Sequence, residues 1–269
     1  MIINGLHGDL VNANDRGLLY GDGVFRTMLV RNGLIPHWTK HYNKLQHDCS
    51  AIALECPSLK NLTDELSQLT QSNPDGVAKI IITRGVGTRG YAPSVQYQPT
   101  RILSIAPIPN YPSSFSTTGV RVQICNTRLG HQLRLAGIKH LNRLENVMAA
   151  AELSDASYSE GLMLNEAGHV IEGTRSNIFL VKNGSLKTPD LSLCGVAGLQ
   201  RDRVLDWARI NGTECKISAL HMEDLMEADE VFLVNNVICL WPVREMAEYK
   251  RTNFPVSLSI QDWLLNAIH

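Results

Sequence analysis

Short apolar runs separated by turn residues constrain the fold of this 269-residue chain more than any other feature of its sequence. Two Asn-Gly pairs, Asn32-Gly33 and Asn183-Gly184, each follow such a run, and Asn-Gly favours a tight hairpin turn. Strands are predicted at Met1 to Asn4, Val24 to Arg31, Ala78 to Arg84, Thr100 to Pro107, Val120 to Asn126, Gly161 to Leu164, Val170 to Val181 and Glu230 to Asn235. Few helices separate these strands, so the pattern predicts a strand-rich α+β fold.

The division of the chain is indicated by helical spacing and by one proline-rich segment. Helices are predicted at Thr39 to Ala53, Leu62 to Thr70, Asn142 to Asp155, Leu199 to Ile210 and Leu258 to Ile268. The segment Pro107 to Pro112, followed by two serines, is typical of a linker. The chain length suits two domains. We therefore predict a small N-terminal α/β domain over residues 1–107, an interdomain linker over 108–117 and a larger strand-rich C-terminal domain over 118–269.

Overall charge and cysteine placement exclude several classes of protein. The net charge is −1 and the isoelectric point is about 6.7, so no general attraction to nucleic acid or membrane is expected. No apolar run approaches the roughly 18 residues that cross a bilayer, and the first residues lack a signal-peptide pattern. The six cysteines form no CxxC pair, which indicates reduced thiols. We expect a cytoplasmic protein with no nucleic-acid or membrane partner.

Two motifs match known signatures in spacing but not in context. The loop Gly85-Val-Gly-Thr-Arg-Gly90 has the spacing of a dinucleotide-binding loop, but Tyr91-Ala-Pro93 follows it where a helix would have to begin. His37 and His41 could share a helix face, but the residues between them lack the glutamate of a zinc protease motif. We predict a turn at the glycines and no metal site.

Charge is segregated in the middle of the chain. Residues 77–144 contain no Asp or Glu. They hold Lys79, Arg84, Arg89, Arg101, Arg121, Arg128, Arg134, Lys139 and Arg143. In a chain of nearly zero net charge, such segregation suggests a concave site for a small anion rather than a nucleic-acid surface. The alternative, a set of unrelated solvated arginines, stays open.

Lys139 lies between an apolar run and the start of a predicted helix, with arginines nearby in the sequence. A lysine becomes a nucleophile only when its amine is neutral, and both apolar surroundings and neighbouring cations lower the amine pKa. The position therefore suits a lysine that forms a Schiff base. The alternative is a structural lysine that extends from a strand end to solvent.

Two further segments carry candidate binding groups. Gly198-Leu199-Gln200 precedes a predicted helix, whose first N–H groups could bind a phosphate. Glu172 lies within a predicted strand, where an acid among apolar residues needs a partner. The alternatives are an ordinary glycine before a helix and an exposed strand face.

Six segments carry motifs that are modest alone and specific in this order. They are Tyr20-Gly-Asp-Gly-Val-Phe25, Arg84-Gly-Val-Gly-Thr-Arg-Gly-Tyr91, Leu135-Ala-Gly-Ile-Lys-His-Leu-Asn-Arg-Leu-Glu145, Glu172 with Ser176-Asn-Ile-Phe179, Gly198-Leu-Gln-Arg201, and Asn236 before Pro242-Val243. Together they resemble the fold-type IV pyridoxal-phosphate enzymes, with the fold of D-amino acid aminotransferases, and most closely the 4-amino-4-deoxychorismate lyases. The resemblance covers nearly the whole chain.

This resemblance implies roles for particular residues. Lys139 would hold pyridoxal 5'-phosphate covalently and act as the base, and Glu172 would contact the pyridine nitrogen. The phosphate would be bound by Leu199, Gln200, Asn236 and Val237. In the family an arginine of an H-x-x-R-L pattern also binds the phosphate, and here Lys44 stands at that position, which retains the charge without the bidentate geometry.

The resemblance also implies an activity and a partner. The chain would convert 4-amino-4-deoxychorismate to 4-aminobenzoate and pyruvate, as in folate synthesis, and would form a homodimer. Arg84 and Arg89 are candidates for binding the carboxylates of this small anionic substrate. The alternative on the same fold is an aminotransferase for branched-chain or D-amino acids, and a non-catalytic binding domain is a third possibility.

Overall fold

The computed structural model describes residues 1–153 and 155–266, which form two compact units. The N-terminal unit comprises Met1–Pro109 together with Ile138–Asn142, and the C-terminal unit comprises Asn110–Gly137 and the chain from Arg143 onward. The segment that carries Lys139 thus groups with the N-terminal unit, although the predicted linear division places it in the second domain. In the part of the chain that the structure describes, no helix is long and apolar enough to span a membrane.

The N-terminal unit is an antiparallel sheet with helices against it. Its elements are β1 (Ile2–Ile3), β2 (Leu6–His7), α1 (Arg16–Tyr20), β3 (Gly23–Val30), α2 (Trp38–Ala51), α3 (Leu59–Ser72), β4 (Gly76–Thr83) and β5 (Thr100–Ala106). The strand order is β2-β1-β5-β4-β3, so β3 lies at an edge of these five strands.

Alternation along β3 explains how this unit buries a core. Val24, Arg26 and Met28 are buried on one side of the strand, while Phe25 and Thr27 between them are less buried. Helix α2 contributes Leu45 and α3 contributes Leu62 to the same cluster. Ser58 precedes helix α3, and its hydroxyl accepts the Asn61 N–H at 3.2 Å and so caps the helix.

The C-terminal unit is a mixed sheet that carries helices. Its elements are α4 (Ser114–Thr117), β6 (Val120–Leu129), α5 (Leu144–Ala151), β7 (Glu160–Asn165), β8 (Val170–Gly173), β9 (Asn177–Lys182), β10 (Ser185–Pro189), α6 (Leu199–Ile210), β11 (Cys215–Ser218), α7 (Met222–Met226), β12 (Glu230–Asn235), β13 (Cys239–Met246), β14 (Tyr249–Lys250) and α8 (Pro255–Asn266). The order is β11-β10-β9-β12-β13-β6-β7-β8, and β14 pairs with β13.

Both faces of the central strands are buried, which is why they read as continuous apolar runs. In β9, Ile178 and Leu180 belong to one core cluster, whereas Phe179 packs into another that includes Val204 of α6 and Ile260 of α8. The phenyl rings of Phe179 and Phe232 stack with centroids 5.2 Å apart. This packing places the start of α6 beside the sheet.

Several predicted elements are confirmed and several are wrong. Helix Leu199–Ile210 and strand Glu230–Asn235 have the predicted bounds. The single strand predicted at Val170 to Val181 is wrong, because a turn in which the Gly173 N–H donates to the Ser176 carbonyl divides it into β8 and β9. The predicted helix at Asn142 to Asp155 is shorter, Leu144–Ala151.

The sequence reading also missed or displaced elements of the C-terminal unit. Strand β13 was not predicted; it contains Pro242, a residue type that disfavours a central strand, and Pro242 pairs there with Phe232. Helix α8 begins at Pro255, earlier than predicted, since the Glu230 carboxylate accepts the Val256 and Ser257 N–H groups, each at 2.8 Å. The end predicted for this helix lies outside the described residues.

Candidate active site

Lys139 lies in a short extended segment beside the edge strand of the N-terminal unit. The Phe25 N–H donates to the Lys139 carbonyl at 2.9 Å, and the Leu141 N–H donates to the Gly23 carbonyl at 3.0 Å. Val24 and His140 form the antiparallel bridge between these bonds. The segment therefore extends the sheet beyond β3, which gives the backbone of Lys139 a fixed position.

The glycine at position 21 is explained by the close approach of this segment. Gly21 has a φ of 63°, and a Cβ added to it would overlap the side-chain oxygen of Asn142. The Asn142 amide also donates to the Gly21 carbonyl at 3.1 Å. The motif Tyr20-Gly-Asp-Gly23 thus contacts the segment that carries Lys139, and the sequence did not predict this role.

The side chain of Lys139 is half-buried and approaches an aromatic ring. Its Nζ lies 4.8 Å from the centroid of the Phe25 ring, and the Nζ of the exposed Lys79 lies 5.0 Å from the same centroid. A lysine head group near a ring face is attracted by the ring quadrupole. Lys139 is therefore not simply extended into solvent, which was the structural alternative.

A buried acid that sequence reasoning missed holds the other side of the Lys139 peptide. Asp48 of α2 accepts the Lys139 N–H at Oδ2 over 3.2 Å, and the same oxygen accepts a hydrogen bond from Arg26 of β3. Arg26 also donates to the backbone carbonyl of Lys44 at 3.2 Å. The signal for Asp48 was its place three residues after Leu45 on the buried side of the amphipathic helix.

Arg84, a candidate for the substrate carboxylates, is buried and engaged within its own unit. Its Nε donates to Asp22 at 2.9 Å, and its two terminal nitrogens donate to the carbonyls of Ala53 and Ile52 at 2.7 and 2.8 Å. The guanidinium thus holds the chain after α2. Its assignment to the substrate stays a prediction.

Two guanidinium groups share the Asp22 carboxylate. Arg16 Nε donates to the same Asp22 oxygen at 2.9 Å as Arg84 does. Burial opposes the ionisation of Asp22, but the hydrogen bonds and charges of Arg84 and Arg16 outweigh it and lower the pKa of the carboxyl. The charged network keeps the start of β3 next to the loop after β4.

Arg89, the second substrate candidate, is exposed on a loop that Arg16 fixes. The terminal nitrogens of Arg16 donate to the carbonyls of Gly90 and Tyr91 at 2.8 and 2.6 Å. The rings of Tyr20 and Tyr91 meet edge to face, with centroids 5.5 Å apart. Arg16 therefore holds the loop at Gly90 and Tyr91, next to the exposed Arg89.

Glu172 lies on β8 in the C-terminal unit and is 3% exposed, so the alternative of an exposed strand face is wrong. Its Oε2 accepts the Val196 N–H at 2.8 Å. A buried carboxylate needs such donors, because an unpaired charge is costly away from water. The segment Gly195 to Gly198 supplies the donor and fixes the orientation of the carboxylate.

Asn177 of β9 holds the same segment from the other side. Its Nδ2 donates to the Val196 carbonyl at 2.7 Å, and its Oδ1 accepts the Gly198 N–H at 3.1 Å. A Cβ added at Gly198 would lie 2.5 Å from the Asn177 Oδ1, so the position requires glycine. Asn177 stands in the Ser176-Asn-Ile-Phe179 motif, but no role was predicted for it.

Helix α6 begins directly after Gly198 with Leu199 and Gln200, both buried. Within the described residues, no side chain caps this end of the helix. The first N–H groups of a helix have no partner inside it, and together with the helix dipole they favour an anion. The geometry at this end therefore suits a phosphate, as the sequence predicts.

The Gly195 to Gly198 segment also pairs with the chain that leads to Lys139. The Gly137 N–H donates to the Gly195 carbonyl at 2.9 Å, and the Ala197 N–H donates to the Gly137 carbonyl at 3.0 Å. Gly137 lies two residues before Lys139. The segment Gly195 to Gly198 thus contacts the Glu172 carboxylate and immediately precedes α6. It also holds Gly137, after which the chain continues to Lys139.

The remaining predicted phosphate contacts lie in the turn after β12. The backbone N–H groups of Val237 and Ile238 donate to the Asn235 Oδ1 at 2.8 and 2.9 Å, so Asn235 shapes this turn around Asn236. The Val237 N–H is therefore already hydrogen-bonded. Lys44 lies on α2 in the N-terminal unit and is half-buried.

Comparison with known proteins agrees with this fold and these motifs. A family model for class IV aminotransferases matches residues 23–246. The chain is 34% identical to an aminodeoxychorismate lyase of Vibrio harveyi over 255 residues, 94% of each protein. A crystal structure of 4-amino-4-deoxychorismate lyase from Pseudomonas aeruginosa is 43% identical, with a TM-score of 0.94 over 98% of this chain and 97% of that chain.

A more distant structure shares the fold alone. A hypothetical aminotransferase from Mycobacterium tuberculosis, in a form described as PLP-bound, is 21% identical and has a TM-score of 0.81 over 97% of this chain and 95% of that chain. The predicted α+β fold of the fold-type IV enzymes is thereby confirmed. The chain belongs to the class IV aminotransferase family.

Proposed function

We propose that this protein is a pyridoxal-phosphate-dependent lyase that converts 4-amino-4-deoxychorismate to 4-aminobenzoate and pyruvate. The observation that carries the proposal is the 43% identity, over nearly the full length of both chains, to the Pseudomonas aeruginosa lyase. The Vibrio harveyi relative of the same name supports it.

Each unit contains residues of the kinds that the cofactor requires. Glu172 offers a buried carboxylate of fixed orientation to the pyridine nitrogen, and the uncapped start of α6 at Leu199 and Gln200 offers N–H groups to the phosphate. Lys139 offers an amine on a rigid backbone segment. In this proposal Lys44 adds a positive charge for the phosphate, and Asn236 and Val237 complete its binding site once the Val237 N–H exchanges its bond to Asn235 for one to the phosphate.

Pyridoxal phosphate, when bound, stabilises the negative charge left at a carbon whose C–H bond breaks. Glu172 would accept a hydrogen bond from the protonated pyridine nitrogen, which would strengthen that stabilisation. Lys139 Nζ takes the proton from the substrate ring carbon that bears the amino group. The C–O bond at the adjacent carbon then breaks, the enolpyruvyl group leaves with the electron pair and gains a proton as pyruvate, and the ring becomes aromatic.

The substrate carries two carboxylates, which need cationic or N–H partners. Arg89 is the better candidate, because it is exposed on a loop whose end is fixed by Arg16. Arg84 remains a candidate only if it exchanges one of its carbonyl contacts for the substrate.

The same proposal includes a homodimer in the cytoplasm. Helix α5 exposes three apolar side chains, which support a protein contact at this helix: Leu144, Val147 and Met148.

The test is to supply the purified protein, with pyridoxal phosphate, with 4-amino-4-deoxychorismate and to follow pyruvate. We expect pyruvate and 4-aminobenzoate in equal amounts. The second candidate function is an aminotransferase, which the family favours. Faster transfer of the amino group from leucine or D-alanine to 2-oxoglutarate, without pyruvate from the chorismate derivative, would support that function and refute the lyase.

A further inference from the structure

A charged pair lies inside the apolar core of the N-terminal unit. Arg26 is 2% exposed and Asp48 is 1% exposed. Arg26 occupies the same side of β3 as Val24 and Met28, and Asp48 lies on α2 between the core residues Leu45 and Cys49. The two side chains hydrogen-bond to each other.

Stability alone does not explain a charged pair in this place. Removing two charges from water is expensive, and apolar residues of similar volume often replace a buried ion pair with no loss of stability. The surrounding cluster of Val24, Met28 and Leu45 could accept such residues. A different requirement must therefore favour the carboxylate at position 48.

That requirement is visible in the second bond of the carboxylate. The Asp48 Oδ2 accepts the backbone N–H of Lys139 at 3.2 Å. The Lys139 carbonyl is already bonded to the Phe25 N–H at 2.9 Å, so Asp48 fixes the other side of the same residue. Arg26 orients the carboxylate and joins it to the Lys44 carbonyl.

We propose that Asp48 is a positioning residue for Lys139, and that Arg26 is present to orient its carboxylate. Asp48 fixes the peptide of Lys139 and thereby the direction in which its amine extends, without touching the substrate. The inference rests on the proposed function only in taking Lys139 as the residue that reacts with pyridoxal phosphate.

The experiment compares two double variants that both remove the buried charges. Arg26→Met with Asp48→Leu removes the acceptor for the Lys139 N–H, whereas Arg26→Met with Asp48→Asn retains an amide oxygen as acceptor. Each variant is loaded with pyridoxal phosphate, reduced with borohydride, and mapped by mass spectrometry for cofactor fixed at Lys139. Thermal unfolding and the kcat and KM for pyruvate release are measured in parallel.

We expect both variants to fold with similar thermal midpoints. The Leu variant should fix the cofactor at Lys139 and turn over substrate about tenfold more slowly than the Asn variant, since it lacks a hydrogen bond to the positioned residue. KM should change less than kcat, because the substrate contacts remain. Equal rates in the two folded variants would overturn the proposal.

A measurement on the unmodified protein keeps the proposal testable if a variant does not fold. Hydrogen exchange should show the Lys139 amide protected at least about tenfold over an exposed amide, because it donates to a buried oxygen. An unprotected amide would overturn the proposal. If wild-type protein fixes no cofactor at Lys139, the proposed function fails; if it does and the two variants match, only the role of Asp48 fails.

Discussion

The two units hold their candidate cofactor residues by different means. In the N-terminal unit a buried ion pair, Arg26 with Asp48, fixes the backbone of Lys139. In the C-terminal unit a neutral amide, Asn177, holds the segment that orients Glu172 and leads into α6. A neutral residue can hydrogen-bond to backbone groups at little electrostatic cost. The loss of one partner of a buried ion pair leaves a buried charge without its counter-charge, which strongly destabilises the fold.

The largest expected effect on stability follows from breaking the ion pair on one side. Asp48→Leu alone leaves the Arg26 guanidinium buried without its acid, and we expect it to lower the free energy of unfolding by about 3–5 kcal/mol. Urea unfolding measures the change. The double variant Arg26→Met with Asp48→Leu is the control and should recover most of the loss; no recovery would show that the charge is not the cause.

The next largest expected effect is a loss of kcat when the negative charge of Glu172 in the C-terminal unit is removed. Glu172→Gln retains an oxygen for the Val196 N–H but removes the negative charge, and we expect kcat for pyruvate release to fall about hundredfold. The exposed Glu166→Gln is the matched control. If kcat of Glu172→Gln stays within a factor of about three of the control, the carboxylate does not act at the pyridine nitrogen.

A smaller loss is expected at the neutral amide. Asn177→Ala leaves the Val196 carbonyl and the Gly198 N–H without their partner, which should cost about 2 kcal/mol of stability. We also expect weaker pyridoxal-phosphate binding, because the start of α6 loses its support. Equilibrium dialysis measures the Kd. An unchanged Kd in a destabilised variant would limit Asn177 to a structural role.

The smallest effect is a dependence of stability on pH in the N-terminal unit. The pKa of Asp22 is lowered in the folded protein, so its contribution is present above the ordinary value of 3.8 and is lost as pH falls through the folded pKa. Urea unfolding between pH 6 and about pH 3 should therefore show a shallower loss of stability in Asp22→Asn than in wild type. Parallel curves for the two proteins would argue against this linkage.

The sequence predicts elements with consistent local signals and fails where distant residues decide. Helix Leu199–Ile210 has good helix formers after a glycine, and its bounds are as predicted. Strand β13 contains Pro242, and only its pairing with β12 and β6 makes it a strand. The break between β8 and β9 is likewise set by a turn that an uninterrupted apolar run conceals.

The residues of the candidate site show the same difference between local sequence signals and contacts made by distant residues. Lys139 and Glu172 stand in recognisable motifs, so the sequence indicates them directly. Asp48 and Asn177 act on backbone groups far away in the chain. The position of Asp48 on the buried side of α2 indicates that it is buried, but no local pattern indicates which backbone group either residue binds. Arg84 was assigned to the substrate for its charge, whereas its contacts in the fold hold the chain after α2.

The most direct test of the account compares two lysines near one ring. Lys139 and Lys79 have amines at similar distances from the centroid of the Phe25 ring, 4.8 and 5.0 Å, but only Lys139 is proposed to react. Pyruvate release from 4-amino-4-deoxychorismate should fall about a thousandfold or more in Lys139→Ala and stay near wild type in Lys79→Ala. A Lys139→Ala variant that retains wild-type turnover would contradict the central claim.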